Sequence, residues 1–339
     1  MVEHDINNSE ESQHDSTLAP TPTPAQTPTP RITIIPSITF PDYKKSDNRL
    51  DPLIIDYERN ITELRKEKDD LLKSIQSNQD QNENQLRILY ELNDSLASLN
   101  SIGYLISQLH PQFQTVLLKK NNKLISIFNS DLEQKAYILS IDIRRSTELM
   151  LKCRTAKLYS NFIIELCEEL KFIITTNYGV YDKFTGDGIL AFYPEFLIGK
   201  IACKYKILKS AFECIKKFDD VYQKHRSSFN VVLSEVGIGI GIDYGEVSIV
   251  NFNNYYSAVG SPVIYACRLS STKAGTVAIN QSAYNEIIEY DQVTFSETTL
   301  EIKNEGLIKV YIIEAKTAFS SNDETYDNII RDEFKKFLD

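Results

Sequence analysis

The chain has 339 residues, 42% of them hydrophobic and 25% charged, enough for one or two globular domains with sizeable cores. A net charge of −10 and a pI near 5.1 argue against nucleic acid or an anionic membrane as a partner of the whole chain. Four histidines, and five cysteines without a C-x-x-C spacing, leave little material for a zinc site or a histidine triad, so the chemistry falls to carboxylates. No apolar run reaches the roughly eighteen residues of a membrane span, and the amino terminus is acidic where a signal peptide is basic. A cytoplasmic location is expected.

Residues 1–45 form a polar leader in which Ala19 to Pro30 reads APTPTPAQTPTP. Such a composition cannot bury enough apolar surface to offset its ordering entropy, so the leader is expected to be disordered. Within it, Ile32, Ile34, Ile38 and Phe40 alternate around Pro36, which fits an extended strand or a docking peptide. From Asp51 to Leu109 a helical 3-4 spacing runs through Tyr57, Ile61, Leu64, Leu71, Leu89, Leu92, Leu96 and Ile106, with a polar waist at Lys68, Asn78, Asn82 and Gln85. The pattern predicts a parallel dimerising coiled coil; the alternative is two hinged helices packed as a hairpin on the domain that follows. Residues 110–134 read as a connector.

Residues 135–316 read as one globular domain. Tyr137 to Ile141 is a buried strand, and Thr155 opens a helix with Tyr159, Phe162, Leu166, Leu170 and Ile174 on one face. A hairpin follows, its two apolar runs flanking a charged tip at Lys183 to Gly188. A second helix spans about 196–223. Val231 to Ile242 and Glu246 to Val250 are expected to pair around a turn at Asp243-Tyr244-Gly245. A third helix starts after Pro262, and strands near Val277 and over Leu307 to Glu314 close the domain. The order is that of an α+β, ferredoxin-like βαββαβ fold with its helices covering one face of the sheet. Residues 317–339 read as a polar tail with a short helix, and the five cysteines as buried free thiols.

Asp142 stands where the first strand runs out, and Asp187 stands on the hairpin tip. One strand, a crossover helix and a second strand connect them, a route that can bring both carboxylates to one sheet edge. Hard oxygen ligands of this kind suit Mg²⁺ or Mn²⁺, which bind through one or two carboxylates plus substrate phosphates. The segment Ile143, Arg144, Arg145, Ser146 and Thr147 leads into a helix, where backbone N–H groups and the two guanidiniums can hold phosphate oxygens. Either aspartate alone reads more simply as a turn former or cap.

Four motifs in order resemble the catalytic domain of the class III nucleotidyl cyclases, the adenylate and guanylate cyclase superfamily. They are DIRRST from Asp142, DKFTGDG from Asp182, VGIGIGIDYGE from Val236, and AVGSPVIYACR from Ala258 to Arg268. The resemblance covers about Tyr137 to Glu314. It implies that Asp142, Asp187 and the backbone carbonyl of Ile143 bind two Mn²⁺ or Mg²⁺ ions. It further implies that Lys183 and Ser257 contact the base of a nucleoside triphosphate and that Arg268 stabilises the transition state. It also implies an obligatory homodimer, each site taking its aspartates from one subunit and Lys183, Ser257 and Arg268 from the other.

Two positions depart from the family pattern. Ile264 stands where most members have a ribose-orienting asparagine, and Glu305 where some have a triphosphate-binding lysine, although Lys303 and Lys309 are near. Asp142 to Lys152 together with the run at 263–270 is similar to the bacterial pyrimidine cyclases of antiphage (Pycsar) systems. That branch implies cyclic UMP or cyclic CMP as product and a separate effector protein that the product activates. Lys183 with Ser257 is equally compatible with adenine, and an inactive nucleotide-binding coiled-coil protein is the reading from another class.

Overall fold

The computed structural model describes residues 51–77, 82–119, 122–130, 132–252, 255–302, 306–315 and 323–338. The leader expected over 1–45 lies outside them, as do Lys303 and Glu305.

The chain enters through α1 (Asp51–Ser77) and α2 (Asn82–Gln108). The two pack against each other: Tyr57 donates its hydroxyl to the Leu99 carbonyl, and Tyr57 and Ile61 share a core with Ile102, Leu105 and Ile106. The 3-4 stripe thus finds its partner within the chain. This is the hairpin alternative, and α2 continues onto the domain that follows. The connector is itself helical, with α3 (Pro111–Leu118), capped by the His110 ring accepting the Gln112 N–H, and α4 (Asn122–Phe128).

The globular region runs β1 (Gln134–Arg144), α5 (Ser146–Lys152), α6 (Ala156–Thr176), β2 (Val180–Phe184), β3 (Gly188–Pro194), α7 (Glu195–Ile198) and α8 (Lys200–Lys224). It continues with β4 (Gly237–Phe252), β5 (Tyr255–Val259), α9 (Ser261–Leu269), β6 (Val277–Ile279), α10 (Gln281–Ile287), β7 (Val293–Ile302), β8 (Gly306–Ala315) and α11 (Asp323–Lys335). Thr155 caps α6 as expected, its side chain accepting the Leu158 N–H. The first four strands lie in the antiparallel order β2-β3-β1-β4, which is the βαββαβ arrangement, and β6, β8 and β7 extend the sheet beyond β4.

Side chains alternate across a strand, so the register assigns the faces. Tyr137, Tyr193 and Tyr244 are cross-strand partners, and Tyr193 donates to Ser210 of α8 at 2.7 Å, which places α8 over that face. Ser140 and Gly241 are partners on the opposite face, and there Ser140 meets Ser270 at 3.2 Å, just past α9. A Cβ at Gly241 would lie 2.0 Å from the Ala266 carbonyl, so glycine is what lets α9 lie this close to β4. Helices therefore cover both faces. The expectation of one covered face fails because β1 is buried without interruption from Ala136 to Ile141.

Three further expectations change. No turn breaks the chain at Asp243-Tyr244-Gly245: β4 is one strand whose residues 237–247 pair continuously with β1, and its outer half pairs with β5 instead. Val231 and Val232 precede that strand and are exposed. The tail ends in a docked amphipathic helix, since Tyr326, Ile330 and Phe334 recur on one side of α11, and Phe337 just after it joins the same core. Tyr326 stacks on Tyr205 with ring centroids 3.9 Å apart, and Asp327 pairs with the buried Lys206 at 2.8 Å. All five cysteines are free, but only Cys203 and Cys214 are buried; Cys267 is exposed. Among the described residues no helix is long and apolar enough to cross a membrane.

Candidate active site

Asp142 ends the buried run of β1 and pairs in register with Gly188, so the residue before that glycine, Asp187, is delivered to its side. A Cβ at Gly188 would lie 2.2 Å from the Ile141 carbonyl; this close approach brings the hairpin tip against β1. Two hydrogen bonds fix the tip. The Ile143 N–H donates to the Asp187 carbonyl at 2.8 Å, and the Ser146 hydroxyl donates to Asp187 Oδ2 at 3.0 Å.

Asp142 is partly exposed and pairs with Arg144, while Asp187 is exposed. Burial, chiefly, lifts the Asp142 carboxyl above its ordinary range; Arg144 opposes the shift and the like charge of Asp187 adds to it. Tyr159 of α6 lines the same corner. Its hydroxyl reaches the Ser146 carbonyl at 3.4 Å, and burial and then Asp187 raise its phenol. The sequence pattern had marked Tyr159 only as part of a helix face.

The donor set suits a hard divalent cation better than a soft one. No group of three or more His, Cys, Asp or Glu that could hold a metal occurs among the described residues. Two adjacent carboxylates and a carbonyl are the protein share expected when phosphates and water complete the shell of Mg²⁺ or Mn²⁺.

The phosphate-binding expectation for 143–147 meets a mixed arrangement. Arg144 is taken up by Asp142. Arg145, held at a left-handed φ of 61°, bonds Glu148 Oε2 at 2.6 Å and also the Ser234 carbonyl. Thr147 is exposed, whereas Ser146 is buried and turned to Asp187. Arg268 is half-buried in α9, on the sheet face from which Asp142 projects, and Ile264 on the same helix is 52% exposed. Lys309 is held by Glu297 at 2.9 Å.

The other expected pair is brought together. Lys183 Nζ donates to Ser257 Oγ at 3.0 Å, joining β2 to β5. Beneath them lies a residue that the sequence did not single out. Asp182 is fully buried; its Oδ2 accepts the Ser257 hydroxyl at 2.7 Å and the Ala258 N–H at 3.1 Å. Its Oδ1 faces Lys183 Nζ at 3.7 Å and has no hydrogen-bond partner. Burial raises its carboxyl, opposed by Ser257 and then Lys183. The pairing of β2 with β3 slips between Tyr181 and Lys183, a bulge at Asp182. Regular alternation would send residues 182 and 183 to opposite faces; a bulge re-aims the side chain. Gln108, at the end of α2, ties the two strands together by donating Nε2 to the Tyr181 carbonyl at 2.7 Å and the Tyr256 carbonyl at 2.9 Å.

No family model matches the chain, and no curated protein sequence matches it. Among solved structures it is similar to the adenylyl cyclase CyaB from P. aeruginosa, with 21% identity and a TM-score of 0.49 over 55% of this chain and 96% of that one. The guanylyl cyclase Cya2 gives 20% identity and a TM-score of 0.48 over 55% and 94%. The guanylate cyclase domain of RhGC from Catenaria anguillulae, in complex with GTP, gives 21% and 0.44 over 54% and 98%. At these identities and scores the likenesses say nothing of activity, which has to be read from the side chains of this chain.

Proposed function

We propose that this chain is a class III nucleotidyl cyclase. It converts a pyrimidine nucleoside triphosphate, UTP or CTP, into the 3′,5′-cyclic monophosphate and pyrophosphate. The observation that carries the reading is the meeting of Asp142, at the end of β1, and Asp187, on the hairpin tip beside it, at the open end of a buried sheet.

In the reaction the ribose 3′-oxygen attacks the α-phosphorus. The new bond is from that oxygen to phosphorus, the bond broken is from the α-phosphorus to its bridging oxygen, and pyrophosphate leaves. The 3′-hydroxyl proton passes to solvent. Asp142, Asp187 and the Ile143 carbonyl would hold two Mn²⁺ or Mg²⁺ ions, which when bound supply Lewis-acid chemistry to the hydroxyl and the triphosphate. Ser146 orients Asp187 through its hydrogen bond. Arg268 provides positive charge where negative charge develops on the reacting phosphoryl group. Lys183, with Ser257 behind it, contacts the base.

The chain works as a homodimer with composite sites, Asp142 and Asp187 from one subunit acting with Lys183, Ser257 and Arg268 from the other. The pyrimidine preference and a role in antiphage signalling through a separate effector rest on the run from Asp142 to Lys152 and on residues 263–270. Incubating purified protein with Mn²⁺ and equimolar ATP, GTP, CTP and UTP, followed by mass spectrometry, tests the reading. Cyclic UMP or cyclic CMP is the expected product. Cyclic AMP would replace the pyrimidine assignment with an adenylate cyclase, and no cyclic product would leave an inactive nucleotide-binding protein.

A further inference from the structure

The base pair of residues divides unevenly between surface and interior. The Lys183 side chain is 46% exposed, whereas Ser257 is 1% exposed and Asp182 is fully covered. Of the three, only Lys183 presents a polar group that a ligand can reach directly. The hydrogen bonds also run in one direction: Lys183 donates to Ser257, and Ser257 donates to Asp182. The serine proton is therefore committed inward.

An ammonium carries three donors and no acceptor. Here one donor goes to Ser257, and Asp182 Oδ1, which has no hydrogen-bond partner, faces the ammonium at 3.7 Å as an ion pair. A buried carboxylate costs stability unless a cation pairs with it, and the Lys183 ammonium is the cation that faces this one. The bulge that turns Asp182 to the side of Lys183 is a second, independent sign that the strand is built around this contact.

We infer that Asp182 is the positioning residue of the base subsite: from beneath, with Ser257, it holds the Lys183 ammonium as an outward donor. What the pocket reads on a nucleobase is then an acceptor atom, a carbonyl oxygen or ring nitrogen. Ser257 acts on Lys183 and does not touch the base. The inference rests on the base-contacting role proposed for Lys183 and adds a residue and a hydrogen-bond polarity to it.

The test compares wild type, Asp182→Asn, Lys183→Met and the double variant. For each, kcat/KM and equilibrium binding are measured with ATP, GTP, CTP and UTP, alongside the half-saturating Mn²⁺ concentration. Asparagine can still accept from Ser257 and Ala258 but removes the charge that holds the ammonium. The preference for the best nucleotide over the next should fall about tenfold in Asp182→Asn, with half-saturating Mn²⁺ unchanged. Added to Lys183→Met, the same change should move the preference by less than about twofold, because the residues act as one unit. An equal loss for all four nucleotides, or full additivity, would show a merely structural role and overturn the inference. If Asp182→Asn does not fold, Ser257→Ala must shift the preference in its place. A wild type that binds nucleotides without turnover defeats the cyclase reading alone, and the binding preference then decides on Asp182. A wild type that binds none defeats both.

Discussion

Asp142 reaches solvent from the end of β1 and Asp187 from the adjoining hairpin tip, while Asp182, on the same hairpin as Asp187, is fully covered. One residue type is put to opposite uses. At the open corner two carboxylates are left close together, one paired with the Arg144 guanidinium and the other bonded by the Ser146 hydroxyl, an arrangement suited to a cation. In the covered cluster the carboxylate bonds Ser257 and Ala258 and faces the Lys183 ammonium at 3.7 Å. The first arrangement leaves room for chemistry; the second fixes a side chain. The two regions should therefore fail separately.

Breaking the open corner should give the largest effect. Asp187→Asn keeps the shape and the Ser146 bond but removes a charge, and cyclic product formation should fall by at least about a thousandfold. Because Asp187 is exposed, Tm should stay within about 2 °C of wild type. Product quantitation beside a thermal melt checks both. Substantial activity with an intact fold would remove Asp187 from the site.

Gln108→Ala breaks the covered region from behind. It leaves the Tyr181 and Tyr256 carbonyls, now bonded by a buried amide, without their donor. Two carbonyls unpaired at roughly 1–3 kcal/mol each predict a loss of about 2–6 kcal/mol in denaturant unfolding. The strands carrying Asp182 and Ser257 should loosen, so nucleotide preference should weaken while half-saturating Mn²⁺ holds. A change in Mn²⁺ dependence instead would mean the two regions are coupled.

The open corner was legible in the sequence, because a buried strand ending in Asp and a hairpin tip bearing Asp are local patterns. The covered cluster was legible only in part. Lys183 and Ser257 were expected together, but Asp182 beside a lysine reads as another exposed charge, and period-two alternation would turn it away from Lys183. Only the bulge, a feature of strand pairing, brings the two side by side. The same limit explains the turn expected at Asp243-Tyr244-Gly245. The residues have turn chemistry, yet continuous pairing with β1 overrides it. It also explains the coiled coil, since an apolar stripe in α1 specifies that a partner is needed and not which one. The exposed strand β7, rich in Thr, Ser and Glu, gave no apolar run to read.

A fourth carboxylate sharpens the comparison with the smallest effect. Asp243 is as buried as Asp182, but its partners are neutral: the Ser282 hydroxyl at 2.5 Å, the Tyr244 N–H at 2.7 Å and the Asn280 side chain. Burial, chiefly, pushes its carboxyl up to about 6. Below about pH 4 the group is neutral in both folded and unfolded chains. Between about 4 and 6 the unfolded chain releases the proton while the folded one keeps it, so stability falls as pH rises; above that range both are ionised and the cost is constant. Asp243→Asn, whose amide oxygen can take over the Ser282 and Tyr244 bonds, should cancel that slope. At pH 7.5 the variant should be more stable than wild type by on the order of 2 kcal/mol, and at pH 4 the two should be equal. Denaturant unfolding at the two pH values decides it: parallel curves would mean that the Asp243 carboxyl is ionised in the fold at no cost. In that case burial alone would not separate the covered cluster from the open corner, and the Lys183 contact of Asp182 would carry less of the difference than its position suggests.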